Sequence, residues 1–302
     1  MNTSRKQTWR CALSVLLPIK RYGMLLSFFV CLAGCASTFG IGRTAAAAPY
    51  EFSDYLVLIG ADDTTIRSQA GKRQTIVVDG QAVSADTVQL LHDDGNTVYA
   101  YLNIGSLETY RDYYQSFRSA ALKPYDNWKD EYWVDVSDAA WQAFVTQVLA
   151  AEIAKKQVDG FFLDNADVYD VYRSDAVYDG LVTVLEGLQG YTKALIVNGG
   201  DVFVTRLLVE GKQHLISGIN QECVFTTIKK YNKDVFGVQT PADRDYFMEY
   251  ITAVSRAGCN VYLVEYTKDV SLWQRIKTYA ESNGFRFYIS ETVGLDRAVS
   301  GQ

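Results

Sequence analysis

The sequence predicts an α/β domain, a single (β/α)8 TIM barrel, after an N-terminal export signal and a short tether. Three observations carry that expectation. First, three apolar runs each end on a carboxylate: Gly160-Phe161-Phe162-Leu163-Asp164-Asn165, Ile216-Ser217-Gly218-Ile219-Asn220-Gln221-Glu222 and Val261-Tyr262-Leu263-Val264-Glu265. Runs of this length, bounded by Gly or polar residues, read as strands buried on both faces. Second, eight such strand candidates can be placed, mostly separated by helical stretches, and eight slots favour a closed barrel over an open doubly wound sheet. Third, about 250 residues follow the first fifty, the usual size of one barrel.

In chain order, residues 1–34 read as a signal peptide. Arg5, Lys6, Arg10, Lys20 and Arg21 precede the uncharged apolar stretch 24–34, which is short for a membrane span and suits the apolar region of a secretory signal. The stretch ends Leu32-Ala33-Gly34-Cys35, which resembles the bacterial lipobox, in which the Cys is acylated and becomes the mature N-terminus. A lipid anchor on Cys35 at the outer face of the cell membrane is therefore expected. The alternative is a signal cut later, in the Ala-rich stretch 44–48, giving a secreted protein. Residues 35–50 form the tether, and 51–302 the barrel.

Strands are expected at 54–59, 75–79, 97–104, 160–164, 194–198, 217–222, 260–266 and 285–290. Residues 138–157 carry a helix, with an N-cap at Ser137 or Asp138 and apolar Trp141, Phe144, Val145, Val148, Leu149 and Ile153 at three-to-four spacing. Segments 175–188, 202–210, 243–257 and 271–281 repeat this pattern. The connection 61–73 is polar and short, the weakest element. Two connections are long or aromatic: 106–135 holds Tyr110, Tyr113, Tyr114, Phe117, Tyr125, Trp128, Tyr132 and Trp133, and 165–178 holds Tyr169, Tyr172 and Tyr178. Some of these rings must pack their own loop. Others suit the rim of a barrel, where sugar rings stack and a cationic sugar gains from a π-face.

Hydrophobic residues make up 48% and charged ones 21%, a globular composition. Loss of residues 1–34 removes five cationic side chains and no acidic one, taking the formal charge from −6 to −11. Such a domain does not suit nucleic acid and tolerates a cationic partner. Beyond Cys35 only Cys223 and Cys259 remain in the mature chain. Export permits a disulfide, and two buried thiols fit equally. The two His, His92 and His214, offer neither metal-ligand spacing nor a His-based triad.

In a parallel barrel, acids at the carboxyl ends of strands converge on one mouth. Asp164 and Glu222 end the fourth and sixth strands and can face each other. Glu265 ends the seventh, Asn103 lies near the end of the third, and Asn198 ends the fifth. Two convergent carboxylates without His or Cys partners point to glycoside hydrolysis, in which one carboxyl protonates the departing oxygen and the other attacks or activates water. Each acid alone could equally be a turn, cap or ion-pair residue.

The segments Ala100-Tyr101-Leu102-Asn103-Ile104-Gly105 with Tyr110-Arg111, Asp159-Gly160-Phe161-Phe162-Leu163-Asp164-Asn165-Ala166-Asp167-Val168-Tyr169, Asn198-Gly199, Gln221-Glu222 and Val264-Glu265-Tyr266 resemble, in order, the endo-α-1,4-polygalactosaminidase family, glycoside hydrolase family 114. The resemblance spans residues 52–291 and implies a TIM barrel, catalytic Asp164 and Glu222, and no metal or organic cofactor. By analogy with other α-galactoside-cleaving barrels, Asp164 is the nucleophile and Glu222 the general acid/base. Asn103, Tyr110, Arg111, Asn165, Asp167, Tyr169, Asn198, Glu265 and Tyr266 would line the sugar site, with Asp167 and Glu265 facing a galactosamine ammonium. The chain departs from the family at Ser106, where members often carry Glu; here Glu108 follows two residues later. The expectation is an exported, monomeric hydrolase of α-1,4-linked galactosamine-containing exopolysaccharide. The alternatives are a non-catalytic carbohydrate-binding surface lipoprotein and a transglycosylase using the same acid pair.

Overall fold

The computed structural model describes residues 54–298, apart from 73, 127, 192 and 193. The expected signal peptide, the tether and Cys35 lie outside the described residues. Eight parallel strands form the barrel: β1 (Tyr55–Leu58), β2 (Thr75–Asp79), β3 (Thr97–Asn103), β4 (Gly160–Asp164), β5 (Ala194–Asn198), β6 (Gly218–Glu222), β7 (Asn260–Tyr266) and β8 (Arg286–Ser290). They pair in that order, each within a residue or so of its expected position. β8 returns beside β1. Arg286 bridges the two, its Nε 3.1 Å from Asp54 Oδ2 and its Nη1 donating to Thr75 Oγ1 at 2.8 Å.

Side chains alternate across the strands. Tyr55, Tyr99, Tyr101, Phe162, Tyr262 and Tyr288 pack together as one buried cluster. Their neighbours Leu102, Phe161, Leu163, Val197, Leu263 and Ile289 belong to the second cluster, shared with the surrounding helices. On one parity, the last residues of β4, β5, β6 and β7 are Asp164, Asn198, Glu222 and Tyr266. All four are therefore delivered to the same mouth.

The connections show where sequence patterning was thin. Residues 61–73 fold into the helix Asp63–Gln69, capped by the Asp62 side chain accepting from Thr65 N–H at 2.8 Å; with only Ile66 buried it leaves almost no apolar period to read. The expected helix over 138–157 starts at Ala139 on the Asp138 cap and runs to Ala154 through a widened turn at Phe144–Leu149. Segment 106–135 is a three-stranded antiparallel sheet, Ser106–Glu108 and Ala121–Pro124 flanking Glu131–Val134. A hairpin, Thr226–Lys230 with Val235–Val238, rises after β6. Cys223 and Cys259 are both free thiols.

The site is tied to this frame by one close approach. The carbonyl of Asn165, which follows Asp164 in the left-handed conformation (φ 68°), sits where a Cβ on Gly105 would come within 1.8 Å. Ile104 N–H donates to Asp164 O at 3.1 Å, and Val134 N–H to Gly105 O at 3.1 Å. Gly105→Ala must push the 164–165 turn away from the mouth. We expect a loss of roughly 1–3 kcal/mol, read as a lower melting temperature, together with a loss of hydrolysis beyond the fraction unfolded. A variant of unchanged activity and stability contradicts this anchoring.

Candidate active site

A cavity of about 590 Å³ opens at the carboxyl ends of the strands, the size of a small-ligand site. Asp164 and Glu222 stand on its wall, half-buried. One amide serves both: Asn198 Nδ2 donates to Asp164 Oδ1 at 2.9 Å and to Glu222 Oε1 at 3.0 Å. Tyr266 adds a hydroxyl bond to Glu222 Oε2 at 2.8 Å. Tyr101 and the backbone N–H of Asn165 also favour the ionised form of Asp164.

Burial drives both acids upward in pKa. Asp164 is pushed to about 6, with the Glu222 charge adding to burial and its donors pulling back. Glu222 is also raised by burial, against the bonds from Asn198 and Tyr266. Two carboxylates on one amide cannot both ionise cheaply. The pair thus favours holding a single proton, the state in which one carboxyl is an acid and the other a base or nucleophile.

Five more acids line the cavity, Asp79, Glu108, Asp130, Glu131 and Asp167, and two of them are raised in pKa. Asp167, held by Gly200 N–H at 3.1 Å, is raised to about 7 by burial and by neighbouring Asp201 and Asp164. Gly199 and Gly200 both have φ 61°, and a Cβ on Gly199 would lie 2.7 Å from Asp167 Oδ2. Glu131, from the middle strand of the inserted sheet, is raised to about 8 by burial, Glu108 and Asp164. Its carboxylate accepts only from Ser106 Oγ, at 3.1 Å, among the described contacts. Its cross-strand partner Glu108 is neutralised instead, by Arg111 Nε at 2.6 Å and Tyr110 OH at 2.5 Å.

Of the residues expected at the sugar, Tyr110, Arg111, Asn165, Asp167, Asn198 and Tyr266 line the cavity together with the acid pair. Their free valences differ. Arg111 is spent on Glu108 and Asp79 (3.0 Å), while Asn198 gives its whole amide to protein partners.

Three expected contacts do not face the cavity. Glu265 has the opposite strand parity to Tyr266 and is fully buried; it accepts from Phe225 N–H, Thr226 N–H and Thr226 Oγ1 at 2.9, 3.0 and 2.5 Å, anchoring the chain that leaves β6. Asn103 folds onto Ser106, donating to its Oγ at 2.7 Å and accepting its N–H at 2.9 Å. Tyr169 accepts from Arg206 Nη1 at 3.0 Å, under the guanidinium.

Sequence reasoning passed over Glu131, Tyr101 and Tyr231 as site residues and named Tyr125 and Trp128 only among the rings suited to the rim; all five are in the wall. Tyr125 stacks on Trp133 at 4.2 Å, and Trp128 meets Tyr231 edge-on at 5.8 Å. The density of rings in 106–135 was the available signal for Tyr125 and Trp128.

A parallel barrel whose mouth carries two carboxylates and aromatic walls is the architecture of a glycoside hydrolase. The family model for glycoside hydrolase family GH114 matches residues 43–300; the chain belongs to that family and is a glycoside hydrolase. Among solved structures, it is similar to the glycoside hydrolase domain of PelA from Pseudomonas aeruginosa, with 18% identity, 80% of this chain and 95% of that chain covered, and a TM-score of 0.66. The Aspergillus fumigatus Ega3 complex with galactosamine gives 16%, 87%, 100% and 0.63. The α-galactosidase TtGalA of Thermus thermophilus gives 9%, 78%, 57% and 0.52. At such identities these three share its fold. No curated protein sequence matches the chain significantly.

The raised carboxylates also set the pH dependence of stability. Asp164 (about 6), Asp167 (about 7), Glu131 (about 8) and Glu265 (about 7) bind protons more tightly folded than unfolded. Their contribution is complete below the ordinary carboxylate range and is lost as pH rises through the folded values. The melting temperature is expected to fall between about pH 5 and about pH 8.5, and Asp167→Asn to flatten that slope. A melting temperature that rises over this range contradicts the burial of these charges.

Proposed function

We propose that the protein is an exported, retaining hydrolase of α-1,4-linked, galactosamine-containing polysaccharide, with Asp164 as nucleophile and Glu222 as general acid/base. The observation that carries the retaining chemistry is the shared amide. The two oxygens on Asn198 Nδ2 are no further apart than its two hydrogen bonds laid end to end. That lies below the ~6.5–9.5 Å an inverting pair needs for its water and suits the ~5–5.5 Å of a retaining pair. In the first step, Asp164 attacks the anomeric carbon while Glu222 gives its proton to the departing oxygen. In the second, Glu222 takes a proton from water, whose oxygen displaces Asp164 and restores both groups.

The acidic wall supports a cationic sugar. With Glu265 withdrawn into the frame, Asp167 and Glu131 are the carboxylates that face an ammonium beside Asp164. Glu131 has no Lys or Arg partner among the described residues, and Tyr125 lies within the fields of Asp167, Asp164 and Glu131. An ammonium there neutralises buried charge and meets a π-face. The galactosamine bound to Ega3 belongs to that protein and agrees in kind with this wall. Export rests on the basic and apolar N-terminus and on Cys35, the proposed lipid anchor. Among the described residues, no helix is long and apolar enough to cross a membrane.

The test is release of reducing ends from partially deacetylated α-1,4-linked polygalactosamine by wild type, Asp164→Asn and Glu222→Gln. Only the wild type should cut, the variants falling by at least ~10²-fold while still binding. Binding without cutting by the wild type would favour the carbohydrate-binding reading. A wild type that neither binds nor cuts would refute the substrate.

A further inference from the structure

Beneath the acid pair, a line of hydrogen bonds runs into the barrel. Asn198 Oδ1 accepts from Asn220 Nδ2 at 2.7 Å, and Asn220 Oδ1 accepts from Tyr55 OH at 3.1 Å. Asn198 and Asn220 are register partners on β5 and β6 and share the inward face. Asn220 is fully buried and Tyr55 nearly so. Neither lines the cavity, so neither touches a sugar.

We infer that Tyr55 and Asn220 are positioning residues that hold the Asn198 amide from below with its nitrogen on the two catalytic carboxylates. The two ends of a primary amide are nearly the same size but opposite in chemistry: the nitrogen donates and the oxygen accepts. Facing the pair, the nitrogen stabilises ionised carboxylates. A flipped amide would present its oxygen, repel them, and favour carboxyls that keep their protons. Nothing on the carboxylate side forbids the flip once a carboxyl is protonated, because the acid can then donate to the amide oxygen.

The restraint comes from below. Asn220 offers a donor where a flipped amide would bring its own NH2, so the flip would set donor against donor in a buried place. Tyr55, rooted on β1, donates to Asn220 Oδ1 and anchors the line in place; a phenol can also accept, so its part is to hold Asn220 beneath Asn198 rather than to choose its end. The consequence is a working pH range fixed from within the barrel. Around the pair, the groups that also bear on its titration are Tyr101 from β3, Tyr266 from β7, Glu131 from the inserted sheet, and Asp167 after β4.

The test titrates the pair directly. Asp and Glu side-chain carboxyls are labelled with ¹³C, and Asp164 and Glu222 are followed by NMR in wild type, Asn220→Leu and Tyr55→Phe, with assignments from D164N and E222Q. Leucine removes the donor without adding charge. In N220L both titrations should move up by about one pH unit or more, the weight of a hydrogen bond to a charged group. In Y55F they should move the same way by less, which keeps the inference testable if N220L folds poorly. The acid limb of the pH–rate profile should follow. Lower melting temperatures with both titrations unmoved would overturn the inference and leave the two residues as packing. The titration needs no substrate, so it decides even if the galactosamine polymer is not cut.

Discussion

A single amide group donating to two carboxylates is the constraint on which the rest of this structure depends. Asn198 brings Asp164 and Glu222 within two hydrogen bonds of each other, at the mouth of a barrel whose interior is filled by packed side chains. Mutual repulsion and burial favour one proton shared by the pair. Every nearby feature serves that arrangement: Tyr266 donates to the outer oxygen of Glu222, Gly105 sets the height of the Asp164 turn, and Glu265 pins the chain beyond Glu222.

Charge burial has a cost that the fold carries elsewhere. Glu131, Asp167 and Glu265 are raised well above ordinary carboxylates, mainly by burial. Glu265 is compensated by three hydrogen bonds and acts as a structural acid. Glu131 and Asp167 face the cavity with weaker compensation, a state relieved by a cation. The inserted sheet thus contributes to the site twice, with the carboxylate of Glu131 and with the ring of Tyr125 braced on Trp133. Glu131 also bonds Ser106, so the inserted sheet is tied to the end of β3 through that hydroxyl.

Much of this was legible in the sequence, because strands of a parallel barrel are short continuous apolar runs and their ends are marked by polar residues. β4 is visible from Gly160 to Asp164, and the ends of the fourth and sixth strands bring Asp164 and Glu222 to one mouth as expected. Glu265 misled for a physical reason: strand-end position does not specify parity, and one residue decides between mouth and outer layer. Asn103 misled because a short polar side chain beside a turn satisfies its neighbour first. The inserted sheet and the hairpin after β6 were not foreseen as strands, since partly exposed two- and three-stranded ribbons lack an unbroken apolar run. Glu131 was hidden with them. Asn220 lay in view inside a predicted strand, but its bond to Asn198 requires the register between two strands, which no single run encodes.

The measurement that bears most directly on the shared-amide pair is the anomeric form of the first product. Oligomers of α-1,4-linked galactosamine are mixed with enzyme in an NMR tube, and the anomeric proton of the new reducing end is read before mutarotation. Product appearing first as the α anomer is expected, since a pair held on one amide leaves no room for an inverting water. Product appearing first as the β anomer would contradict the close spacing of Asp164 and Glu222, and with it the role of Asn198 in holding them together.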